Sequence, residues 1–258
     1  MKTLSLYEKK DSLLHKVDPI SKLLYIMVSI AIPIILPYKI VGLGCMGISL
    51  ILLLMGKVFK KVIPLISFSL FILLSIIIIQ GLFNAENKNP AFQIGSIIFY
   101  KEGLLFALEI CIRVVNILCA FAILVLTTKP SDLIESLVRR GMSPKIGYIL
   151  SSVLQIIPQM TETMQTITDA QRSRGMETEG KLSVRVKAFL PLIGPVVMNS
   201  LISTRERSMA LEVRGFNSKA KKTYLNEEQS AGYNKVIKVV LILLLLIAVA
   251  GRILIWKK

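Results

Sequence analysis

Ala170-Gln171-Arg172-Ser173-Arg174-Gly175-Met176 and Ala210-Leu211-Glu212-Val213-Arg214-Gly215-Phe216 end alike: Ala, Arg and Gly recur at the same offsets, and an apolar residue follows. Each closes one half of a nearly continuous helical pattern between Lys129 and Phe216. In the first half, which starts at Ser143-Pro144, apolar residues from Ile146 through Leu150, Val153, Ile157 and Met160 to Ile167 fall on one stripe at intervals of three and four. This spacing predicts a helix of about thirty residues, roughly 45 Å long. Gln155, Gln159, Glu162, Gln165 and Asp169 interrupt it too often for a lipid-facing span, so the helix is interfacial or covered by protein, with a bend expected at Pro158. A polar turn, Glu177 to Lys181, leads to a second such helix from about Ser183 to Val213, with bends expected at Pro191 and Pro195.

Capping alone explains either ending: Gly takes the left-handed position after a helix, and Arg complements the helix dipole. Two of them in one polar region point further, to a repeated docking device. A planar guanidinium held at a rigid helix end suits bidentate pairing with carboxylates in a partner's groove. The candidate coupling residues are therefore Arg174, Gly175, Arg214 and Gly215, with Ala170 and Ala210 one turn earlier.

The surroundings belong to a bilayer. The 258 residues are 53% hydrophobic and yet carry a formal net charge of +16. Apolar spans joined by Lys/Arg-rich loops give both at once, whereas a soluble domain rarely does. The basic residues flank apolar spans and are not interleaved with aromatics on a soluble face, which argues against nucleic acid as a partner. Cys45, Cys111 and Cys119 lie in apolar stretches without a Cys-x-x-Cys pair, and His15 is the only histidine. No metal, no cofactor and no His-based catalysis are expected.

Outward from the central stretch, apolar spans are predicted at about Leu23–Leu36, Ile40–Met55, Val62–Phe83, Leu104–Thr127 and Lys235–Trp256, with Trp256 suited to a membrane interface. The first follows Asp18-Pro19, with Asp18 as N-cap, Pro19 at the first helical position and Lys22 just inside. A polar segment of roughly twenty residues precedes it, and no cleavable signal is expected. Gln93 to Tyr100 alternates around Gly95 in a way that permits a small hairpin. Glu109 and Arg113 stand at i, i+4 within the fourth span, close enough to pair, and an ionisable pair at membrane depth is a functional candidate. Because the two satisfy each other, the first reading is structural, a fixing of this helix against a neighbour. A short helix over Ser131–Arg140, with Ser131 as N-cap, is expected to stop at Gly141.

The expected fold is thus an all-α membrane protein of about five transmembrane helices plus long cytoplasmic or interfacial helices. It comprises residues 1–127 with four spans, 128–233 as the coupling region and 234–258 as a last span. Lysines 57, 60 and 61 and the basic region between Lys129 and Lys235 put the N-terminus in the cytoplasm and the C-terminus outside, in a multi-pass protein of the cell membrane.

Several motifs fail. Gly42-Leu43-Gly44-Cys45-Met46-Gly47 has the dinucleotide spacing but no preceding strand, and small residues for helix packing explain it better. No Gly-x-x-x-x-Gly-Lys-Ser/Thr occurs, so ATP is not bound through a P-loop. An ATPase driving this protein would be a separate chain.

At this point the residues resemble a family, the transmembrane T component of energy-coupling factor (ECF) transporters, related to the cobalt-transport permeases. The resemblance spans nearly the whole chain. It rests on Asp18-Pro19 with Lys22, Glu102-Gly103, Thr127-Thr128-Lys129-Pro130, Ile157-Pro158 and the two Arg-Gly endings. It implies that the endings belong to coupling helices inserted into two ATP-binding cassette ATPase subunits, through Arg174 and Arg214. It also implies that the membrane part holds a substrate-binding S component for vitamins or metal ions, and that the chain is not an enzyme. The chain departs from the family pattern at Ile20 and Gln155, where Arg is common, and at Ser173 and Val213, where Ala is common.

Two other readings compete. An ordinary ABC importer permease would line the substrate path itself and carry a single cytoplasmic coupling motif. A membrane-embedded enzyme would need convergent titratable groups at membrane depth, and beyond Glu109 and Arg113 little is there.

Overall fold

Asp18-Pro19 starts the first membrane helix as its chemistry requires. The Asp18 carboxylate accepts the Ile20 N–H at 3.2 Å, and Pro19, which has no N–H to satisfy, takes the first helical position. In the computed structural model the described residues are 7, 8, 10, 12–84, 89–94, 97–176, 182–218, 220, 223 and 232–256. The polar turn expected at Glu177–Lys181 and the hairpin turn at Gly95 lie largely or wholly outside them.

The helices are α1 (Pro19–Ile35), α2 (Lys39–Met55), α3 (Phe59–Phe83), α4 (Lys101–Thr127), α5 (Pro130–Arg139), α6 (Pro144–Ser173), α7 (Leu182–Val213) and α8 (Gly232–Trp256). A single 3-10 turn, Leu13–Lys16, precedes α1, and two short strands, β1 (Pro90–Ile94) and β2 (Ile97–Tyr100), lie between α3 and α4. The fold is an all-α membrane protein. Among the described residues three helices, Phe59–Phe83, Lys101–Thr127 and Tyr233–Leu254, are long and apolar enough to cross a bilayer. The apolar α1 and α2 have 17 residues each, which gives about 26 Å against a hydrocarbon core of about 30 Å.

The chain divides into two compact units. The first is Ser5–Gly141 with Gln229–Lys258, and the second is Met142–Glu228. In the first unit α4 is the central helix, packed against α1, α2 and α3, while α8 packs on α1. Its apolar core gathers Leu53, Val58, Val62, Cys119, Ile123 and Leu126 around the end of α2 and the start of α3, and Leu14 of the 3-10 turn joins them. The exposed apolar side chains of α3 and α8, such as Phe68, Phe71, Leu243 and Ile247, suit lipid.

The strands pair antiparallel with Phe92 opposite Phe99 and Ile94 opposite Ile97. The hairpin is fastened to both neighbouring helices. Glu102, in the first turn of α4, accepts from the Asn89 side-chain amide at 2.6 Å and from its backbone N–H at 3.2 Å. Phe99 lies so close to α3 that a Cβ on Gly81 would meet it at 2.9 Å. Gly42 likewise lets α2 approach Ile112 of α4, but no heavy atom lies within 4 Å of a Cβ built on Gly44 or Gly47. The packing role expected of all three glycines therefore holds for Gly42 alone, because the other two face away from any helix.

One cap differs from expectation. The N-cap of α5 is Lys129 rather than Ser131, because Pro130 is preset for the first helical position and starts the helix a residue earlier. Ser131 instead donates to Asp132.

In the second unit α6 runs through Pro158, and α7 through Pro191 and Pro195. Hydroxyls of Thr163, Thr166, Thr168 and Ser173 donate back to carbonyls one turn earlier in α6, so these polar groups need no other partner. The two helices meet where Arg207 donates to Gln159 at 2.7 Å, beside a small cavity lined by Met160, Thr163, Asn199 and Ser203. Near the start of α6, the Tyr148 ring lies 5.4 Å from that of Phe216, just past the end of α7.

Candidate functional site

The two Arg-Gly endings have the same geometry. After α6, Arg174 is the C-cap, Gly175 has φ +88°, and Gly175 N–H and Met176 N–H donate to the Arg172 and Gln171 carbonyls at 2.9 and 3.1 Å. After α7, Gly215 has φ +70°, and Gly215 and Phe216 donate to the Glu212 and Leu211 carbonyls at 2.9 and 3.0 Å. Both are Schellman caps, closed by paired six-to-one and five-to-two bonds. Such a cap fixes the backbone of the Arg before it. Arg174 and Arg214 are exposed, and neither guanidinium has an ion pair or side-chain hydrogen bond among the described residues. Ala170 and Ala210 are exposed one turn before them, so no large side chain covers the arginine's face.

A third ending of this kind was present in the sequence and missed. Arg140-Gly141-Met142 repeats the Arg-Gly-apolar order, Gly141 has φ +114°, and its N–H donates to the Val138 carbonyl at 3.1 Å. Here the guanidinium has a partner: Arg140 Nη2 donates to Asp18 Oδ2 at 2.8 Å. Lys238 of α8 reaches the same oxygen, and the Asn234 side chain accepts the Asp18 N–H at 3.4 Å. Asp18, its side chain only 2% exposed, thus ties α1, α5 and α8 together.

Lys22, one turn further along α1, is also buried. Its ammonium donates to the Thr127 carbonyl at 3.0 Å and the Thr128 hydroxyl at 3.1 Å, capping the C-terminus of α4. Asp18-Pro19, Lys22 and Thr127-Thr128-Lys129-Pro130, far apart in sequence, therefore form one assembly at the junction of α1, α4, α5 and α8.

A family model described as "Cobalt transport protein" (CbiQ) matches residues 10–225, which include all three Arg-Gly endings and, apart from the residues on α8, the whole of this assembly. The chain belongs to the CbiQ family. Among curated proteins, the "Energy-coupling factor transporter transmembrane protein EcfT" of Clostridium kluyveri is 27% identical over 266 residues, 97% of each chain. The protein of that name from Brevibacillus brevis is 27% identical over 250 residues, 93% of this chain and 94% of the other. That from Bacillus subtilis is 28% identical over 226 residues, 81% and 83% of the two chains.

Two further features of this CbiQ-family chain lie within the apolar helices. Arg113 Nη2 donates to Glu109 Oε1 at 2.6 Å, beside a small cavity lined by Pro33, Tyr38, Lys39 and Gly42. The second was not foreseen. Asn116 of α4 is fully buried; it accepts from the Ser49 hydroxyl at 2.8 Å and the Ser29 hydroxyl at 3.2 Å, and donates to the Ser29 carbonyl at 2.9 Å. Tyr25 extends the network to Ser49 at 2.7 Å. Buried amides in apolar surroundings are costly unless satisfied, and Asn116, lone and polar in an apolar run, was the available signal. Among the described residues no group of His, Cys, Asp and Glu could hold a metal ion.

Proposed function

We propose that this chain is the non-catalytic transmembrane coupling subunit of an ATP-driven ECF importer. Arg174 and Arg214 would each dock in one of two ATP-binding cassette ATPase subunits, and the membrane unit would hold a substrate-binding S component that takes up vitamins or metal ions. The observation that carries this reading is the pair of matched caps presenting exposed guanidiniums without a partner among the described residues. The names of the EcfT relatives support the assignment to such a transporter. On this reading the chain crosses the cell membrane five times from a cytoplasmic N-terminus, with α1 and α2 as short spans, and α6 and α7 are the coupling helices. Glu109 with Arg113 then serves to hold α4 in place, and the chain binds no ATP.

The test is uptake and ATPase copurification for Arg174→Ala and Arg214→Ala. Stranding carboxylates in a partly desolvated ATPase groove costs about 2 to 5 kcal/mol at that contact. Each single change should therefore cut uptake steeply while the protein still inserts, and the double change should release the ATPases. Lys should rescue poorly, because an ammonium lacks the fork. Uptake by the double Ala variant at the wild-type level would end the docking reading.

A further inference from the structure

We propose that the groove between the 3-10 turn Leu13–Lys16 and the turn joining α2 to α3 binds the headgroup of an anionic phospholipid. The groove, about 390 Å³ in volume, is lined by Ser12, Leu13, Lys16, Met55 and Lys57.

Its construction is unusual at Lys57. Helix α2 ends in a Schellman cap, with Lys57 N–H donating to the Leu54 carbonyl at 3.0 Å and Val58 N–H to the Leu53 carbonyl at 3.3 Å. The left-handed position of that cap ordinarily falls to glycine. Here it holds Lys57 at φ +56°, the one non-glycine residue with positive φ among those described. A left-handed lysine is strained, and what holds it is visible: Lys10 Nζ donates to the Lys57 carbonyl at 2.8 Å, and Val58 is fully buried. The fold thus sets a cation where glycine would be easier, and strain retained in this way is a mark of function.

Lys10 and Lys61 both pair with Glu8, at 2.7 and 2.6 Å. Lys16 and Lys57 are exposed and make no ion pair among the described residues. Beside them stand Leu13, 73% exposed, and Met55, 50% exposed and the last residue of an apolar helix. Two ammoniums without an ion pair among the described residues, at the level where a membrane helix ends and with an apolar wall next to them, match a phosphodiester and the first methylenes of its acyl chains. A free phosphate would leave that wall against water.

The experiment titrates the full-length chain, purified in mild detergent, with phosphatidylglycerol or phosphatidylcholine and counts bound lipid by native mass spectrometry. Wild type should retain phosphatidylglycerol in preference, and the affinity should fall about fivefold for each of Lys16→Gln and Lys57→Asn. Asn tolerates the left-handed backbone. Lys57→Gly should raise the unfolding temperature by relieving the strain and still lose the lipid, which separates binding from folding. Equal retention of the two lipids, an equal loss in Lys39→Gln at the far end of α2, or displacement by millimolar inorganic phosphate would each overturn the proposal.

Discussion

Arg140 and Asp18, 122 positions apart, meet at 2.8 Å, and the residue after that arginine is Gly141 with φ +114°. The chain therefore contains one Arg-Gly helix end whose guanidinium already sits on a carboxylate. The endings after α6 and α7 share its order of residues and its left-handed glycine, and differ in presenting the arginine to the surroundings. That contrast makes the reading of Arg174 and Arg214 more than a matter of capping: with the same order of residues and a left-handed glycine in each, the arginine has a carboxylate partner in one instance and none among the described residues in two.

Asp18 does two separable jobs, and substitutions should separate them. Asp18→Asn keeps a side-chain oxygen for the Ile20 N–H but removes the charge facing Arg140 and Lys238. Both cations are partly exposed and can turn to water, so the loss should be about 2 kcal/mol. Asp18→Ala also forfeits the cap, about 1 kcal/mol more. Thermal unfolding of the detergent-purified chain should rank wild type above Asn and Asn above Ala, and equal stability of wild type and Asn would remove the ion-pair role.

The Asn116 network should be non-additive. Asn116→Leu leaves the Ser29 and Ser49 hydroxyls to turn back to their own helices, as Ser49 already does toward the Cys45 carbonyl at 3.0 Å. The expected cost is about 1 kcal/mol. The triple change Asn116→Leu, Ser29→Ala, Ser49→Ala should cost less than the three single costs summed, because no unpartnered group is left behind. Simple additivity in unfolding measurements would mean that the contacts act independently.

What the sequence made legible was local. The cap at Asp18-Pro19, the i, i+4 pair of Glu109 and Arg113, and the left-handed glycines all depend on residues within one turn of each other, and residue type decides such contacts. The Lys22 contact to Thr127 and the Asp18 contact to Lys238 join residues 105 and 220 positions apart, and no periodicity encodes them. Asn116 was visible as a lone amide but its partners were not, since serines in a membrane helix satisfy themselves as readily as they pair. Arg140-Gly141 reads in sequence as a helix stop, because its partner Asp18 lies 122 positions away at the start of another helix.

Glu8 should make the N-terminal segment pH-sensitive. Hydrogen bonds from Lys10 and Lys61 hold its carboxyl below the ordinary value of 4.5. A depressed carboxylate contributes stability that is present above the unfolded value and is lost as pH falls through the folded one. The Glu8 amide, which donates to the Leu126 carbonyl at 3.1 Å, should thus stay protected from hydrogen exchange at neutral pH and lose protection below about pH 4.5. Glu8→Gln should show the unprotected behaviour at all pH values, and an unchanged profile in that variant would exclude Glu8 as the tether.

Orientation is open to direct labelling. After replacement of Cys45, Cys111 and Cys119, single cysteines at Asn87 and Lys219, both outside the described residues, would be exposed to an impermeant thiol reagent on intact cells. The lysine distribution predicts labelling at position 87 and protection at position 219. The reverse pattern would refute a cytoplasmic N-terminus.

The glycines after Arg174 and Arg214 offer a test that leaves both charges in place. A Cβ at Gly175 or Gly215 would meet no heavy atom within 4 Å, so substitution there changes backbone preference without creating a clash. At φ +88° and +70° an alanine costs about 1 to 2 kcal/mol, and the cheapest relief is to unwind the last turn and swing the arginine away. Asparagine tolerates the same backbone at far lower cost. If docking needs a guanidinium held at a fixed helix end, Gly175→Ala and Gly215→Ala should reduce uptake and ATPase copurification, Gly→Asn at each site should largely restore them, and the arginine itself is untouched throughout. Were charge alone sufficient, all four variants would transport alike. Gly141→Ala serves as the internal comparison. It should loosen the Arg140 contact to Asp18 and lower the unfolding temperature, whereas the changes after α6 and α7, at exposed ends without a partner among the described residues, should leave that temperature nearly unmoved.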